Sequence, residues 1–229
     1  RYIISKGRDA GKDQTYVLWG LTQECLSRTL LPLGGFLKSE IRELAISYGF
    51  SHLAQKSESY DICFIPDNDY RKFLNHRIPG LEQQLQGGSF IYKNKTVGTH
   101  KGYPYYTIGQ RKGLEIALGH PVFVSGIEPE TNTVYLGDED DLKEQYMQVR
   151  NINLIKYAHL PENFQALTKI RYKDRGTEAT LHQQDTGIEV IFHHYVSAIA
   201  PGQSAVFYEG DDLVGGGFIK RKAAKVIKA

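Results

Sequence analysis

The stretch GIEVIFHHYVSAIAPGQSAVFYEGDDLVGGGFI, residues 187–219, gives the clearest indication of the fold of the last third of the chain. It alternates short runs of strand-forming residues with turn residues, and the sequence before it continues the pattern. The six predicted strands lie around Gln148–Leu154, Leu167–Tyr172, Glu178–His182, Gly187–Phe192, Ser204–Tyr208 and Leu213–Ile219. Short strands at this spacing are typical of small antiparallel barrels, so the pattern predicts a C-terminal antiparallel β-barrel.

The middle of the chain has a different strand pattern. Phe90–Tyr92 and Thr96–Gly98 flank a polar turn, and Val122–Val124 and Thr133–Leu136 flank a second one. Each pair predicts a β-hairpin. The acidic run at 138–141 follows and indicates a solvated connection, which we interpret as a domain boundary.

The first third of the chain is predicted to be helical. Apolar residues recur at helical spacing between Ser39, a good N-cap, and Gly49, which suits a C-terminal cap. Shorter helices are predicted over 13–19, over 22–26 with Thr22 as the cap, and over 70–74. The fold class predicted for the whole chain is therefore α+β.

Composition excludes several classes of protein. The 229 residues carry 28 Lys+Arg against 26 Asp+Glu, and 41% are hydrophobic, which is typical of globular domains and not of disordered or fibrous chains. No apolar run reaches the roughly 18 to 20 residues of a membrane helix, and the first residues do not resemble a signal peptide. We therefore expect a cytoplasmic protein with no membrane partner.

The sequence contains few candidates for reactive or metal-binding groups. The 8 histidines do not pair with Cys, Asp or Glu at metal-ligand spacing, so no metal site is predicted. Gly215-Gly216-Gly217 lies between strand-like runs and suits a bulge or a close backbone approach better than a phosphate loop. Of the 2 cysteines, Cys25 is interpreted as a packing residue. Composition alone would favour a buried structural thiol for Cys63 as well.

Five blocks of sequence carry a resemblance to a known family. They are Lys12-Asp13-Gln14-Thr15-Tyr16, Leu31-Pro32-Leu33-Gly34, Asp61-Ile62-Cys63-Phe64-Ile65, Tyr105-Tyr106-Thr107-Ile108-Gly109-Gln110-Arg111-Lys112-Gly113-Leu114 and Pro201-Gly202-Gln203-Ser204-Ala205-Val206-Phe207-Tyr208. Their type and order resemble the tRNA-specific 2-thiouridylase family across nearly the whole chain. The resemblance implies an enzyme that replaces the C2 oxygen of the tRNA wobble uridine, U34, with sulfur, using ATP with Mg²⁺.

The resemblance also implies a domain organisation. Residues 1–62 would be the helical tail of an α/β nucleotide-binding (adenylation) domain, 63–139 a small mixed or β central domain, and 140–229 a translation-factor-like β-barrel. The family's pyrophosphatase loop and first catalytic cysteine do not occur in this sequence. We therefore expect a C-terminal fragment that is inactive alone, with ATP bound by the absent N-terminal domain.

The family resemblance gives Cys63 a catalytic role. The cysteine at this position would accept a persulfide from a sulfur-relay protein or cysteine desulfurase and deliver the terminal sulfur. The first cysteine of the family would either release sulfide by forming a disulfide with Cys63 or act on the base covalently. The sequence leaves both routes open. Because thiolates do this chemistry, we expect at least intermittent exposure of Cys63.

The tRNA-binding positions of the family fall in three places. They correspond to Lys12, Asp13 and Gln14, to Arg171 and Tyr172 in the barrel, and to Gln203. A fourth set of candidates comes from residue type, because cations suit phosphates and aromatic rings suit bases. These candidates are Tyr105, Tyr106, Arg111 and Lys112, for which an ordinary β surface is the alternative.

Two further interpretations remain open at the level of sequence. The chain could be a non-catalytic RNA-binding module in which Cys63 is structural. A structural domain of a translation factor rests on barrel analogy alone. The main expected partners are tRNA and a sulfur-relay protein or cysteine desulfurase, and a monomer is expected.

Overall fold

The computed structural model describes residues 1–56, 65 and 69–221. Contacts divide the chain into two compact units, which we call the barrel unit and the central unit. The barrel unit combines Arg1–Lys56 with the chain from Glu144 onward, and the central unit lies between them in sequence. Each unit is described by itself.

The helices and strands are numbered in chain order. The α-helices are α1 (Thr15–Leu18), α2 (Gln23–Ser27), α3 (Lys38–Ser47), α4 (Ser51–Ala54), α5 (Tyr70–Arg77) and α6 (Leu81–Leu85). The first four strands are β1 (Gly88–Tyr92), β2 (Lys95–His100), β3 (Phe123–Glu128) and β4 (Thr133–Gly137). The others are β5 (Lys143–Leu154), β6 (Phe164–Lys169), β7 (Thr177–Gln184), β8 (Gly187–Ser197), β9 (Ser204–Glu209) and β10 (Asp212–Ile219).

The six C-terminal strands close into a barrel in the order β10-β5-β8-β7-β6-β9, which confirms the predicted fold class. Neighbouring strands run antiparallel, as in β6 with β9 and β7 with β8. Alternate side chains point inward and form an apolar interior. The interior includes Met147, Leu181, Val190, Phe192 and Phe207.

One predicted strand is shifted along the sequence, because β6 begins and ends three residues earlier than predicted. The sequence predicts Leu167–Tyr172, but β6 ends at Lys169, so Arg171 and Tyr172 lie in the loop that follows. The carboxylate of Asp174 accepts hydrogen bonds from the backbone N–H of Ile170 and of Gly176, each at 3.1 Å. These bonds satisfy the two backbone N–H groups outside the sheet. The chain can therefore turn there.

The glycines of β10 permit close packing, as predicted. A Cβ on Gly216 would lie 2.8 Å from the Cγ of Trp19 and 2.8 Å from the carbonyl oxygen of Ala205. The register between β10 and β5 also shifts between Gly216 and Phe218, which marks a bulge or irregularity there. The indole of Trp19 therefore packs directly on the backbone of the barrel.

The N-terminal segment is built into the barrel unit. Tyr16 and Trp19 from the segment around α1 share a buried apolar cluster with Val206, Tyr208 and Leu213 from β9 and β10. The indole N–H of Trp19 also donates to the hydroxyl of Ser204 at 3.0 Å. This packing fixes the residues just before α1 against one side of the barrel.

The helical predictions are confirmed in outline and corrected at one boundary. Thr22 caps α2, since its hydroxyl accepts the N–H of Cys25. Gly49 has φ 84° after α3, which suits its predicted role. The N-cap of α3, however, is Leu37 and not Ser39. The carboxylate of Glu40 accepts the N–H of Leu37 at 2.7 Å, so a side chain inside the helix replaces the expected cap.

The central unit contains a four-stranded mixed sheet in the order β2-β1-β4-β3. Both predicted hairpins are present, as β1 with β2 and β3 with β4, and a parallel pairing of β1 with β4 joins them. Phe90, Val124 and Val134 are buried in its core. Among the residues that the structure describes, no helix has the length and apolar character needed to span a membrane.

Candidate nucleic-acid interface

The three segments that the family resemblance assigns to tRNA meet on the barrel unit. The loop 12–14 precedes α1, and the hydroxyl of Tyr172 donates to the carbonyl oxygen of Asp13 at 3.2 Å. The rings of Tyr16 and Tyr172 pack edge to face with centroids 6.1 Å apart. Tyr16 also donates its hydroxyl to the carbonyl oxygen of Ser204, next to Gln203, at 2.7 Å. Residues about 160 to 190 positions apart in sequence are thus neighbours.

Asp13 organises the loop that carries its neighbours. Its carboxylate accepts the N–H of Gly7 at 3.1 Å and the hydroxyl of Thr15 at 2.6 Å. A negative charge held by donors within the protein is poorly suited to contact phosphate directly. Lys12 and Gln14, on either side of it, are exposed and face solvent.

A buried pair of hydroxyls fastens this loop to the barrel. The hydroxyl of Thr15 lies 3.1 Å from the phenol oxygen of Tyr208, which is fully buried in β9. Burial raises the pKa of Tyr208 to about 12, and burial likewise raises the pKa of Tyr16 to about 12. Both phenols are therefore neutral hydrogen-bonding groups at neutral pH. The ammonium groups of Lys6 and Lys169 lie 4.9 and 5.5 Å from the centroid of the Tyr208 ring.

Arg171 and Gln203 lie at the same end of the barrel. The guanidinium of Arg171 donates to the carbonyl oxygen of Ser197, the last residue of β8, at 2.8 Å. Gln203 is exposed just before β9, and its carbonyl oxygen accepts the N–H of Ile219 at 2.8 Å. Five of the six residues from the family pattern therefore present exposed side chains at one end of the barrel unit: Lys12, Gln14, Arg171, Tyr172 and Gln203.

The tyrosine candidates of the central unit are packing residues. Tyr105 is 2% exposed, and its hydroxyl donates to the side-chain oxygen of Asn75 at 2.8 Å. Tyr106 is half-buried, and its ring packs against Phe90 and His100. The face of Tyr105 is not available for a base, so we leave both rings out of the proposed surface.

Arg111 and Lys112 remain available in a tightly bonded turn of the central unit. Both side chains are exposed. The side chain of Gln110 accepts the N–H of Thr107 at 3.1 Å and donates to the carbonyl oxygen of Lys112 at 2.9 Å. The turn therefore holds its two cations at the surface.

The predictions for the two cysteines have different outcomes. Cys63 lies outside the described residues, so its role stays a prediction. The packing interpretation of Cys25 is wrong, because Cys25 is an exposed free cysteine. It follows the cap residue Thr22 on the solvent side of α2, whereas its neighbour Leu26 is buried. The described part of the chain contains no cluster of three or more side chains suited to a metal ion.

The residues that hold the exposed set in place could not be identified from the sequence. Thr15, Tyr16 and Tyr208 lie inside the blocks that carry the resemblance, yet their contacts join distant segments and leave no local signal. Lys173 and Arg175 left a visible signal, because they continue an alternation of cations that starts at Lys169 and Arg171. Both are exposed in the loop after β6.

Three family models match successive parts of the chain. The first describes a tRNA methyl transferase HUP domain and matches residues 1–67. The second describes a tRNA methyl transferase PRC-barrel domain and matches residues 71–138. The third describes an aminomethyltransferase beta-barrel domain and matches residues 144–219, the region of the closed barrel.

Curated relatives match almost the whole chain under one name, tRNA-specific 2-thiouridylase MnmA. The protein of Amoebophilus asiaticus is 55% identical over 96% of this chain and 59% of its own length. That of Cytophaga hutchinsonii is 54% identical over 96% of this chain and 60% of its own. That of Salinibacter ruber is 49% identical over 96% and 58%. The chain thus spans about three fifths of the length of these relatives.

Proposed function

Because the chain belongs to the tRNA-specific 2-thiouridylase family, we propose that it takes part in replacing the C2 oxygen of U34 in tRNA with sulfur. The observation that carries this proposal is the convergence of three distant segments on the barrel unit, joined by Tyr16 and Tyr172. They place cations, amides and an aromatic ring on one surface. Such a mixture suits RNA, whose backbone is anionic and whose unpaired bases offer flat faces.

The reaction needs an activated oxygen and a reactive sulfur. ATP with Mg²⁺ would adenylate the C2 oxygen and release pyrophosphate, in a domain outside this sequence. The oxygen would then leave C2 as part of AMP when sulfur attacks. Without activation the carbonyl oxygen is a poor leaving group, which is why sulfur transfer is coupled to ATP.

Cys63 would carry the sulfur as a persulfide received from a sulfur-relay protein or a cysteine desulfurase. In one route its terminal sulfur attacks C2, and a second cysteine then cleaves the S–S bond, which leaves a protein disulfide and thiouridine. In the other route the second cysteine attacks the persulfide first, forms the disulfide and releases sulfide, which attacks C2. Both routes consume one persulfide and end in a disulfide that a thiol reductant must reduce.

The other residues of the chain would bind and orient tRNA. Lys12 and Arg171 would neutralise phosphates, and the exposed face of Tyr172 would offer a stacking surface. Gln14 and Gln203 can donate and accept hydrogen bonds. Asp13 would hold the loop 12–14 in its conformation and not contact RNA.

A hybrid enzyme tests the proposal. This chain replaces the matching region of the Cytophaga hutchinsonii relative, and 2-thiouridine is measured by mass spectrometry of digested tRNA. We expect thiolation by the hybrid, none by the Cys63→Ser hybrid, and nearly unchanged tRNA affinity in that variant. Cys25→Ser is the matched control and should leave thiolation unchanged.

Two results would contradict the proposal. Full thiolation by the Cys63→Ser hybrid would support the alternative of an RNA-binding module in which Cys63 is structural. Thiolation by this chain alone, with ATP and a sulfur donor, would contradict the expectation that it needs an adenylating domain.

A further inference from the structure

The end of the barrel that carries Arg171 is strongly basic. The pairings of Lys169 with Val206 and of Phe218 with Ser204 show that β6 and β10 end on the same side of the barrel. The loop 170–176 and the residues after β10 therefore emerge together. The cations at this end are Lys169, Arg171, Lys173, Arg175, Lys220 and Arg221.

The opposite end of the barrel is acidic. Its strand ends and loops carry Glu162, Asp185, Glu209, Asp211 and Asp212. The ammonium of Lys156 at this end is paired with the carboxylates of Glu209 and Asp212, at 2.5 and 2.8 Å. Lys6 at this end is likewise paired with Asp211. In the described part of the barrel, the cations without an acidic partner are therefore concentrated at the other end, which favours the approach of a polyanion there.

The one acidic residue in the basic loop does not neutralise it. The carboxylate of Asp174 accepts the N–H of Ile170 and of Gly176, and its own N–H donates to the carbonyl oxygen of Arg171. Asp174 therefore fixes the loop from inside. Lys173 and Arg175 are exposed and form no ion pair with any residue in the described ranges 1–56, 65 and 69–221.

We propose that Lys173 and Arg175 bind the phosphodiester backbone of tRNA and that Asp174 is the residue that positions them. The inference rests on the proposed function and extends its surface beyond the family pattern. Two observations favour tRNA over an acidic protein. The loop also carries Arg171 and Tyr172, and Tyr172 links it to the loop of Lys12 and Gln14.

Salt dependence gives a direct test, because each phosphate contact contributes about 0.7 to 0.9 to the slope of log affinity against log salt. The affinity of this chain for a tRNA transcript is measured by fluorescence anisotropy between about 50 and about 200 mM KCl. We expect Lys173→Gln and Arg175→Gln each to reduce the slope by about 0.7 to 0.9. The double variant should then lose about tenfold less affinity than the wild type across that range.

Lys56→Gln is the matched control, since Lys56 is an exposed cation that follows α4 in the sequence and belongs to no barrel strand. This variant should leave both the affinity for tRNA and the salt slope unchanged.

Asp174→Ala tests whether Asp174 positions Lys173 and Arg175. It removes a negative charge, so electrostatics alone predicts tighter binding, whereas loss of the loop conformation predicts weaker binding, partly rescued by Asp174→Asn. Tryptophan fluorescence checks that each variant is folded.

The outcomes separate this inference from the proposed function. If the wild-type chain shows no saturable binding to tRNA, the proposed tRNA surface itself is wrong. If the chain binds tRNA and the Lys173 and Arg175 variants keep the wild-type slope, the inference is wrong and the proposed function stands. Tighter binding by Asp174→Ala would overturn its positioning role. Binding of polyglutamate with the affinity seen for tRNA would assign the basic end to acidic proteins instead.

Discussion

The contact between the hydroxyls of Thr15 and Tyr208 attaches the loop 12–14 to the barrel, so its loss should lower the free energy of unfolding. Tyr208→Phe removes one phenol hydroxyl, and the hydroxyl of Thr15 keeps its bond to Asp13. The net cost of losing such a hydrogen bond is about 0.5 to 1.5 kcal/mol. Thr15→Val instead leaves the Tyr208 hydroxyl buried without this partner and removes the bond to Asp13. We expect Thr15→Val to lower the free energy of unfolding by about 1 to 3 kcal/mol more than a conservative surface change does.

The double variant distinguishes a real contact from two independent effects. When both partners become apolar, no buried hydroxyl is left unsatisfied at this contact, so the combined cost should be less than the sum of the two single costs. A coupling energy of about 1 kcal/mol is expected. Strict additivity would contradict the hydrogen bond between Thr15 and Tyr208.

Urea unfolding followed by tryptophan fluorescence is a suitable assay. The chain contains a single tryptophan, Trp19, and its indole is packed between α1 and the barrel, so its emission reports this attachment. Tyr195→Phe is the control, because Tyr195 is 68% exposed and should tolerate the loss of its hydroxyl within about 0.5 kcal/mol. If the Thr15 and Tyr208 single variants unfold at the same urea concentration as this control, the hydroxyl pair does not attach the loop 12–14 to the barrel.

Three further predictions follow from packing and burial. Gly216→Ala should destabilise the barrel unit by about 1 to 3 kcal/mol in urea unfolding, since its Cβ would meet the Trp19 indole and the Ala205 carbonyl, whereas Gly20→Ala meets nothing within 4 Å and should be near neutral. Burial lowers the pKa of His100, so its imidazole should titrate by NMR below about 6.5. The unfolded chain then binds that proton more readily, and stability falls as the pH drops through about 6.5; a midpoint above this value would contradict the burial. Exposed Cys25 should be alkylated in the native chain, as mass spectrometry can show, and protection until urea is added would contradict its position.

The parts of the fold that depend on local pattern could be predicted from the sequence. The barrel strands follow from alternation and turn residues, and the Thr22 cap from residue type. The end of β6 could not be predicted, because Asp174 turns the chain through its own side chain. The start of α3 was displaced for a related reason, since Glu40 supplies the cap from within the helix.

The individual residues of the candidate site could be predicted from the sequence. Their proximity on one surface could not. The family resemblance named Lys12, Arg171, Tyr172 and Gln203, and only the three-dimensional contacts show that they lie together. Tyr105 had the residue type expected of a base-stacking group, yet it is buried, which a single aromatic residue in a sequence does not reveal. Contacts across more than a hundred residues depend on the whole fold and leave no periodic signal.

The role of Cys63 as the sulfur carrier is tested by locating the added sulfur on the chain. The purified chain is incubated with a cysteine desulfurase, cysteine and relay proteins, and peptides are mapped by mass spectrometry without reductant. We expect one added sulfur on Cys63 and none on Cys25, which is exposed and therefore a stringent internal control. Sulfur on both cysteines alike, or none on Cys63 in a chain whose tryptophan fluorescence shows it to be folded, would contradict the claim that Cys63 is the sulfur carrier.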